Sequence, residues 1–380
     1  MKISAYYPNY FKDFGIAHAC YYLMKGMQSN QSEINLMGIS SDSVFSDSFY
    51  RDAIPNWSKS LMYKTLPDKV ILKMAESIFA NTLSKEVDFA YLWPGISLST
   101  YQSVKSRGHK IIFEGVNTPA GNIKAILDAE YASLQLPATH GITQQSIDDE
   151  LERIALSDYI YSCNPIMRAC FEGIGVHKDK ILDTSYGLSS SAILVASSAN
   201  PRNQSQPPTF IFVGSIGVRK GVHLLLDYWV KSKLNAKLKL VGTIEEPLMP
   251  LVNQYLADER IEHIPFTSDL PSIYKNADVF ILPSLEEGSP LVTYTALGAG
   301  LPVIVSPMGG GNVIVDGEDG FVIEPHDEAK WVESMRLLAE DAQLRDKLSK
   351  KSKQKALNYT WNVVGAARLN SLIKAEGKSV

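Results

Sequence analysis

Short apolar runs alternate with amphipathic segments along nearly the whole chain, the pattern that builds parallel sheets covered by helices. In the first half, "KISAYY", "EINLMGI", "DFAYLW", "KIIFEGV", "DYIYSC" and "KILDTSYG" predict strands, separated by helical patterns such as Gly15 to Met27, Pro67 to Leu83 and Ile147 to Ala155. The second half repeats the plan with "TFIFVG", "LKLVG", "IEHIPF", "VFILPS", "PVIVSP" and "GFVIEP". Between them, "SSSAILVASSANPRNQSQPP" exchanges apolar periodicity for Ser, Asn, Gln and Pro, as a solvated connector does. The pattern predicts two doubly wound α/β domains, at 1–190 and 209–355, joined by a linker at 191–208. A helix at 356–380 follows, with Val363, Val364, Ala367, Leu369, Leu372 and Ile373 at helical spacing, and is expected to pack back toward the first domain. Ligands of such sheets bind outside the carboxyl ends of the strands, so two such domains are expected to face each other across a cleft.

Composition narrows the class. A chain of 380 residues exceeds what one hydrophobic core usually covers, which agrees with two domains. With 45% hydrophobic and 21% charged residues it reads as an ordinary globular protein, and a net charge of -4 gives no global attraction to nucleic acid. Cys20, Cys163 and Cys170 form no C-x-x-C pair and are odd in number, which argues against a disulfide framework or a zinc site. The opening "MKISAYYPNY" lacks the long apolar core of a secretory signal, and no run of 18 apolar residues exists to span a bilayer. The expected location is the cytoplasm, with any membrane contact peripheral.

Two strand-loop-helix junctions in the second half could carry chemistry. "FVGSIGVRKGVHLLLDYW", residues 212–229, turns at Gly214, Ser215 and Gly217 into a helix whose N-terminus offers unpaired N–H groups. Arg219 and Lys220 add two cations there, which suits a diphosphate, although an ordinary connection with solvated basic residues would read the same. "VFILPSLEEGSPLVTYTALGAG" ends a buried strand at Glu286 and Glu287 and opens a helix that Gly298 and Gly300 close. A carboxylate at that junction either accepts hydrogen bonds from sugar hydroxyls or caps the helix. Cations at one loop and a carboxylate at the other, on one edge of one sheet, suit a nucleotide-sugar.

At these residues the chain resembles family 4 of the retaining glycosyltransferases, which have the GT-B fold of two Rossmann-like domains. The matching pieces are "FIFVGSIGVRKGVHLLL", "LKLVG", "LPSIYKNADVFILPSLEEG", "LGAGLPVIVSPMGGGNVIVDGEDGFVIEP" and the trailing "YTW". The run from Ala155, "ALSDYIYSCNPIMRACFEGIGVHKDKILDTSYGLS", is similar to the family's last amino-terminal strand, helix and exit into the linker. The resemblance implies that Arg219 and Lys220 bind the donor diphosphate. Glu287, the first carboxylate of the E-x7-E signature, would contact the donor sugar. The backbone of Gly288, Ser289, Pro290 and Leu291 would face sugar and phosphate, and Pro265 and Phe266 would border the base. In the first domain it implies that Gly15 lies near the phosphates and that Asn117 and Thr118 line the sugar and acceptor site. Transfer with retained configuration and no metal or other cofactor is implied, the leaving phosphate helping to take the acceptor's proton.

The sequence departs from the family twice. Thr295 stands where the signature has its second Glu, which normally holds the ribose, and Asn117, Thr118 and Pro119 stand where many relatives carry a His. The expected partners are a nucleotide-diphosphate sugar and a saccharide or lipid-linked saccharide acceptor of surface polysaccharide assembly, with no nucleic acid. Residues 57–79 mix Trp57, Met62 and Tyr63 with Lys59, Lys64, Lys69 and Lys73, which suits peripheral contact with the inner membrane face. They suit equally a helix from Asp68 that buries Val70, Ile71, Met74 and Ile78 in its own domain. A nucleotide-sugar epimerase and a degenerate, non-catalytic binding protein are the rival functions.

Overall fold

The computed structural model describes residues 1–41, 45, 47–190, 192–193, 206–267 and 269–378. The expected connector at 191–208 lies largely outside them. The chain divides into two compact units: Met1–Pro119, Thr143–Thr184 and Trp361–Val380 form the first, and Ala120–Ile142 with Ser185–Thr360 the second.

Unit 1 is built on seven parallel strands, β1 (Lys2–Tyr7), β2 (Glu33–Gly38), β3 (Tyr50–Asp52), β4 (Phe89–Leu92), β5 (Lys110–Glu114), β6 (Tyr159–Ser162) and β7 (Ile181–Asp183), in the order β3-β2-β1-β4-β5-β6-β7. Unit 2 has six: β8 (Thr209–Val213), β9 (Lys237–Val241), β10 (Ile261–Ile264), β11 (Val279–Leu282), β12 (Val303–Val305) and β13 (Gly320–Val322), in the order β10-β9-β8-β11-β12-β13. Both are doubly wound, and the order reverses between β1 and β4 in one sheet and between β8 and β11 in the other. The twelve expected strands are present. Their central members are buried on both faces, which is why they read as continuous apolar runs rather than alternating ones. β3, with the sequence YRD, is a short edge strand that carries no such run.

The helix Trp361–Ala375 belongs to unit 1, where it crosses Gly15–Gly26. Gly26 and Gly365 meet at the crossing: a Cβ on Gly365 would run into the Gly26 backbone, and one on Gly26 into the Trp361 carbonyl. Arg368, fully buried, donates to Glu114 at 2.7 Å and to the Tyr91 hydroxyl at 2.7 Å, and its guanidinium lies over the Tyr161 ring. Glu114, which opens the "EGVNTP" segment, is thereby engaged in a structural ion pair. The structure groups 120–142 with unit 2, although the segment lies within the expected first domain. The reason is visible at Glu130 in the helix Ala120–Ser133, whose carboxylate meets His223 at 2.7 Å and His326 at 3.3 Å.

On the surface of unit 1, the helix Asn56–Thr65 has no buried residue, and Trp57 is 87% exposed and Leu61 67%. The following helix, Asp68–Thr82, buries Ile71, Ala75, Phe79 and Ala80 but leaves Val70, Met74 and Ile78 exposed as a stripe four residues apart. Of the four residues expected inside, only Ile71 is buried.

Candidate functional site

Because the strands of unit 2 are parallel, their carboxyl ends lie on one edge, and the loops after β8 and β11 flank the point where strand order reverses. Close backbone packing fixes both loops. Gly214 (φ +144°) donates to the Val241 carbonyl at 2.9 Å, and Gly221 (φ +66°) lies against the Pro283 carbonyl so tightly that no Cβ fits. Leu285 N–H donates to the Arg219 carbonyl at 2.9 Å, tying one loop to the other.

The side chains of these loops converge. Arg219 Nη1 lies 2.8 Å from Glu287 Oε1, donates to the Glu286 carbonyl at 3.0 Å, and stands 3.6 Å from Glu286 Oε2. Lys220 Nζ pairs with the same Glu287 oxygen, its stem lying over Gly214. Glu286 is fully buried, Glu287 is 7% exposed, and the Arg219 side chain is half-buried, so this is a desolvated ion cluster with one side open to solvent. Burial pushes the Glu287 carboxyl up, but Lys220 and Arg219 outweigh it and hold the group below its ordinary pKa. For Arg219, burial works against the charge, yet Glu287 and Glu286 raise its pKa further. Both groups are therefore ionised at neutral pH, with cations pre-positioned at the switch point.

Helix Leu291–Gly298 begins where expected, with Pro290 as its N-cap and no side-chain cap on its first turn. Gly288, Ser289 and Pro290 are buried and Leu291 half-buried; the Ser289 hydroxyl is engaged with that of Tyr294 at 2.6 Å. Helix Val222–Ser232 also starts without a side-chain cap, at Gly221. Thr295 donates its hydroxyl to the Leu291 carbonyl at 3.0 Å, one turn back in its own helix. At the end of β10, Pro265 and Phe266 are exposed, the ring 70% so.

Gly15, Asn117 and Thr118 belong to unit 1. Gly15 takes φ +64° at the start of its helix, with open space beside it and no side-chain cap from Phe14. Asn117 is half-buried and Thr118 buried. His18 is engaged with Asp13 at 2.9 Å and packs on Tyr22, while His140, in unit 2, pairs with Asp128 at 2.8 Å. Among the described residues, no group of three or more His, Cys, Asp or Glu side chains converges as a metal ion requires.

Sequence reasoning missed Glu245, at the end of β9. Its Oε1 accepts from Ser215 at 2.7 Å and its carboxylate lies directly on Gly217, in the same turn that carries Arg219. The signal was present: "TIEEP" ends β9 with a Glu-Glu pair as "LEEGSP" ends β11.

Residues 196–355 match the model of a family described as glycosyl transferases group 1. An uncharacterized glycosyltransferase of Haemophilus influenzae is 30% identical over 158 residues, covering 40% of this chain and 45% of that protein. A UDP-Gal:alpha-D-GlcNAc-diphosphoundecaprenol alpha-1,3-galactosyltransferase of Escherichia coli is 39% identical over 101 residues, 26% of each chain. The chain thus spans less than half the length of the curated relatives it matches. Among solved structures, HepE of Anabaena in complex with UDP aligns with a TM-score of 0.67 at 14% identity, over 98% of this chain and 100% of that one. WaaG, a glycosyltransferase involved in lipopolysaccharide biosynthesis, aligns with a TM-score of 0.66 at 14% identity, over 97% and 98%. These likenesses give the fold, GT-B with two Rossmann-like units. Residues 196–355, which carry the cation-carboxylate cluster at the switch point, thus match the glycosyl transferases group 1.

Proposed function

We propose that the chain is a retaining glycosyltransferase of family 4. It moves a sugar from a nucleotide-diphosphate sugar to a saccharide or lipid-linked saccharide acceptor in surface polysaccharide assembly. The observation that carries this reading is the convergence of Arg219 and Lys220 on Glu287 beside the switch point of unit 2. When the sugar leaves, negative charge grows on the diphosphate. Preorganised cations meet that charge without reorganising, as do the uncapped N-termini of Val222–Ser232 and Leu291–Gly298. The catalytic demand is then borne by the backbone and two cations, with no metal, and the leaving phosphate takes the acceptor's proton. Glu287 contacts the donor sugar.

The relatives support the pathway class. The Escherichia coli protein is named for a diphosphoundecaprenol-linked acceptor, and a Staphylococcus aureus relative for capsular polysaccharide biosynthesis. HepE is described in complex with UDP-glucose, which supports a nucleotide-sugar donor. A lipid-linked acceptor calls for work at the inner membrane face. No helix among the described residues is long and apolar enough to cross a membrane. The exposed helix Asn56–Thr65, with Trp57 and Leu61 beside Lys64, supports peripheral contact.

The test is calorimetric titration of UDP-, GDP-, dTDP- and ADP-sugars into the wild type and Arg219→Ala. Base-selective binding that the substitution abolishes is expected. Absence of binding by any of them at millimolar concentration would overturn the donor reading and favour a degenerate, non-catalytic protein.

A further inference from the structure

We infer that Glu245 binds the ribose hydroxyls of the donor nucleotide, taking the role that Thr295 does not fill; the inference rests on the donor reading above. Thr295 has lost the carboxylate that the family signature carries there, and its hydroxyl proton is given to the Leu291 carbonyl. A ribose diol presents two O–H donors side by side, which an ionised carboxylate accepts best.

The order of chemistry along the carboxyl edge of the sheet points to the replacement. Taking adjacent strands in turn, β10 ends at the exposed Phe266 ring, β9 at Glu245, β8 at the turn bearing Arg219 and Lys220, and β11 at Glu286 and Glu287. Neighbouring strands lie about 4.8 Å apart, so the row spans about 14 Å. A nucleotide-sugar has the matching sequence of parts: a flat base, a diol, two phosphates and a polyol. Cations stand where the phosphates would lie, and carboxylates stand on either side of them where hydroxyls would lie.

Local geometry holds Glu245 to that task. Its N–H donates to the Ile216 carbonyl at 3.0 Å and Ile216 N–H donates to the Thr243 carbonyl at 2.8 Å, so the loops after β8 and β9 are stitched together. Gly217 admits the carboxylate because a Cβ there would occupy the same space. Oε1 accepts from Ser215, whereas Oε2 has no hydrogen bond among the described residues, and Glu245 forms no salt bridge among them. The side chain is half-buried, with an oxygen left to accept. The ribose assignment predicts a discrimination between ribonucleotide and deoxynucleotide that a purely structural role for Glu245 does not.

The experiment is calorimetry on the full chain. The probe is whichever of UDP, GDP and ADP binds tightest, together with its 2′-deoxy and 3′-deoxy forms and inorganic pyrophosphate. The wild type is expected to prefer the ribonucleotide by about tenfold or more over at least one deoxy form, as loss of a hydrogen bond to a charged group implies. In Glu245→Ala that preference falls to about twofold or less while pyrophosphate affinity and melting temperature hold, and Glu245→Gln, which keeps the acceptor for Ser215, falls between. A preference retained in Glu245→Ala, or absent from the wild type, overturns the inference while leaving the donor reading intact. Failure of the wild type to bind any nucleoside diphosphate overturns both.

Discussion

Replacing Lys220 by Met separates the two things the residue can do. In the structure its ammonium shares a single Glu287 oxygen with Arg219, and its stem covers Gly214. Met keeps an apolar stem of similar length over the glycine and removes only the charge. Glu287 retains Arg219 at 2.8 Å, so the buried carboxylate is weakened rather than orphaned. The expected loss of stability is about 1.5–3 kcal/mol, the range for a hydrogen bond to a charged group. In a unit of this size each kcal/mol lowers Tm by about 2–4 °C. A diphosphate that Lys220 contacts loses one charged hydrogen bond, again about 1.5–3 kcal/mol, which is about 10- to 150-fold in Kd. The nucleoside without phosphates loses nothing. Calorimetry of a nucleoside diphosphate and its nucleoside, well below Tm, therefore gives a selective loss for the diphosphate. Should Tm fall while both affinities stay unchanged, Lys220 is only a partner for Glu287. Equal losses for both ligands would show the whole loop disturbed and refute the direct contact.

The same cluster predicts an acid-side signature. Glu287 is held below its ordinary pKa in the folded state, so its contribution is complete above the unfolded value of about 4.3 and is lost as pH falls through the folded value. The stability gap between wild type and Glu287→Gln, from denaturant titrations, should be flat between about pH 5 and 8 and close below about pH 4; a gap unchanged at about pH 3 would refute it. At the other surface, Trp57→Ala with Leu61→Ser should leave Tm unchanged, because their helix has no buried residue. It should weaken sedimentation with phosphatidylglycerol-containing vesicles by about tenfold or more, each large apolar side chain being worth about 1.5–3 kcal/mol when buried. Equal binding by wild type and variant, or no wild-type binding, would remove the membrane assignment.

The architecture was legible because the central strands of both sheets are buried on both faces and therefore announce themselves as apolar runs between helical patterns. β3 escaped because Tyr50–Asp52 is an edge element, with Arg51 exposed and its neighbours half-buried, so no apolar run marks it. The grouping of 120–142 with unit 2 escaped for a different reason. Nothing in the helix Ala120–Ser133 distinguishes it from any other amphipathic helix. Its attachment at Glu130 runs to His223 and His326, far along the chain, and pairings between such distant polar residues leave no local pattern.

At the candidate site the loops could be read and the directions of their side chains could not. That Arg219, Lys220 and the Glu286–Glu287 pair lie on the ligand edge follows from strand-loop-helix grammar, since residues that end a parallel strand lie there whatever the sheet order, whereas the choice of Glu287 came from the signature of the resemblance. Whether an acidic loop neighbours the basic one depends on that order. "TIEEP" and "LEEGSP" are equivalent as text, and the chain puts the first far from the second. The arrangement β10-β9-β8-β11 sets both beside β8, one on each flank of Arg219 and Lys220. Thr295 makes the complementary case. Its position could be read from the signature spacing, but the commitment of its hydroxyl to Leu291 is a rotamer choice that no spacing encodes. A carboxylate missing from the helix at Thr295 can therefore be supplied by a neighbouring loop in space without any trace in the motif that lacks it, and only the strand order says where to look.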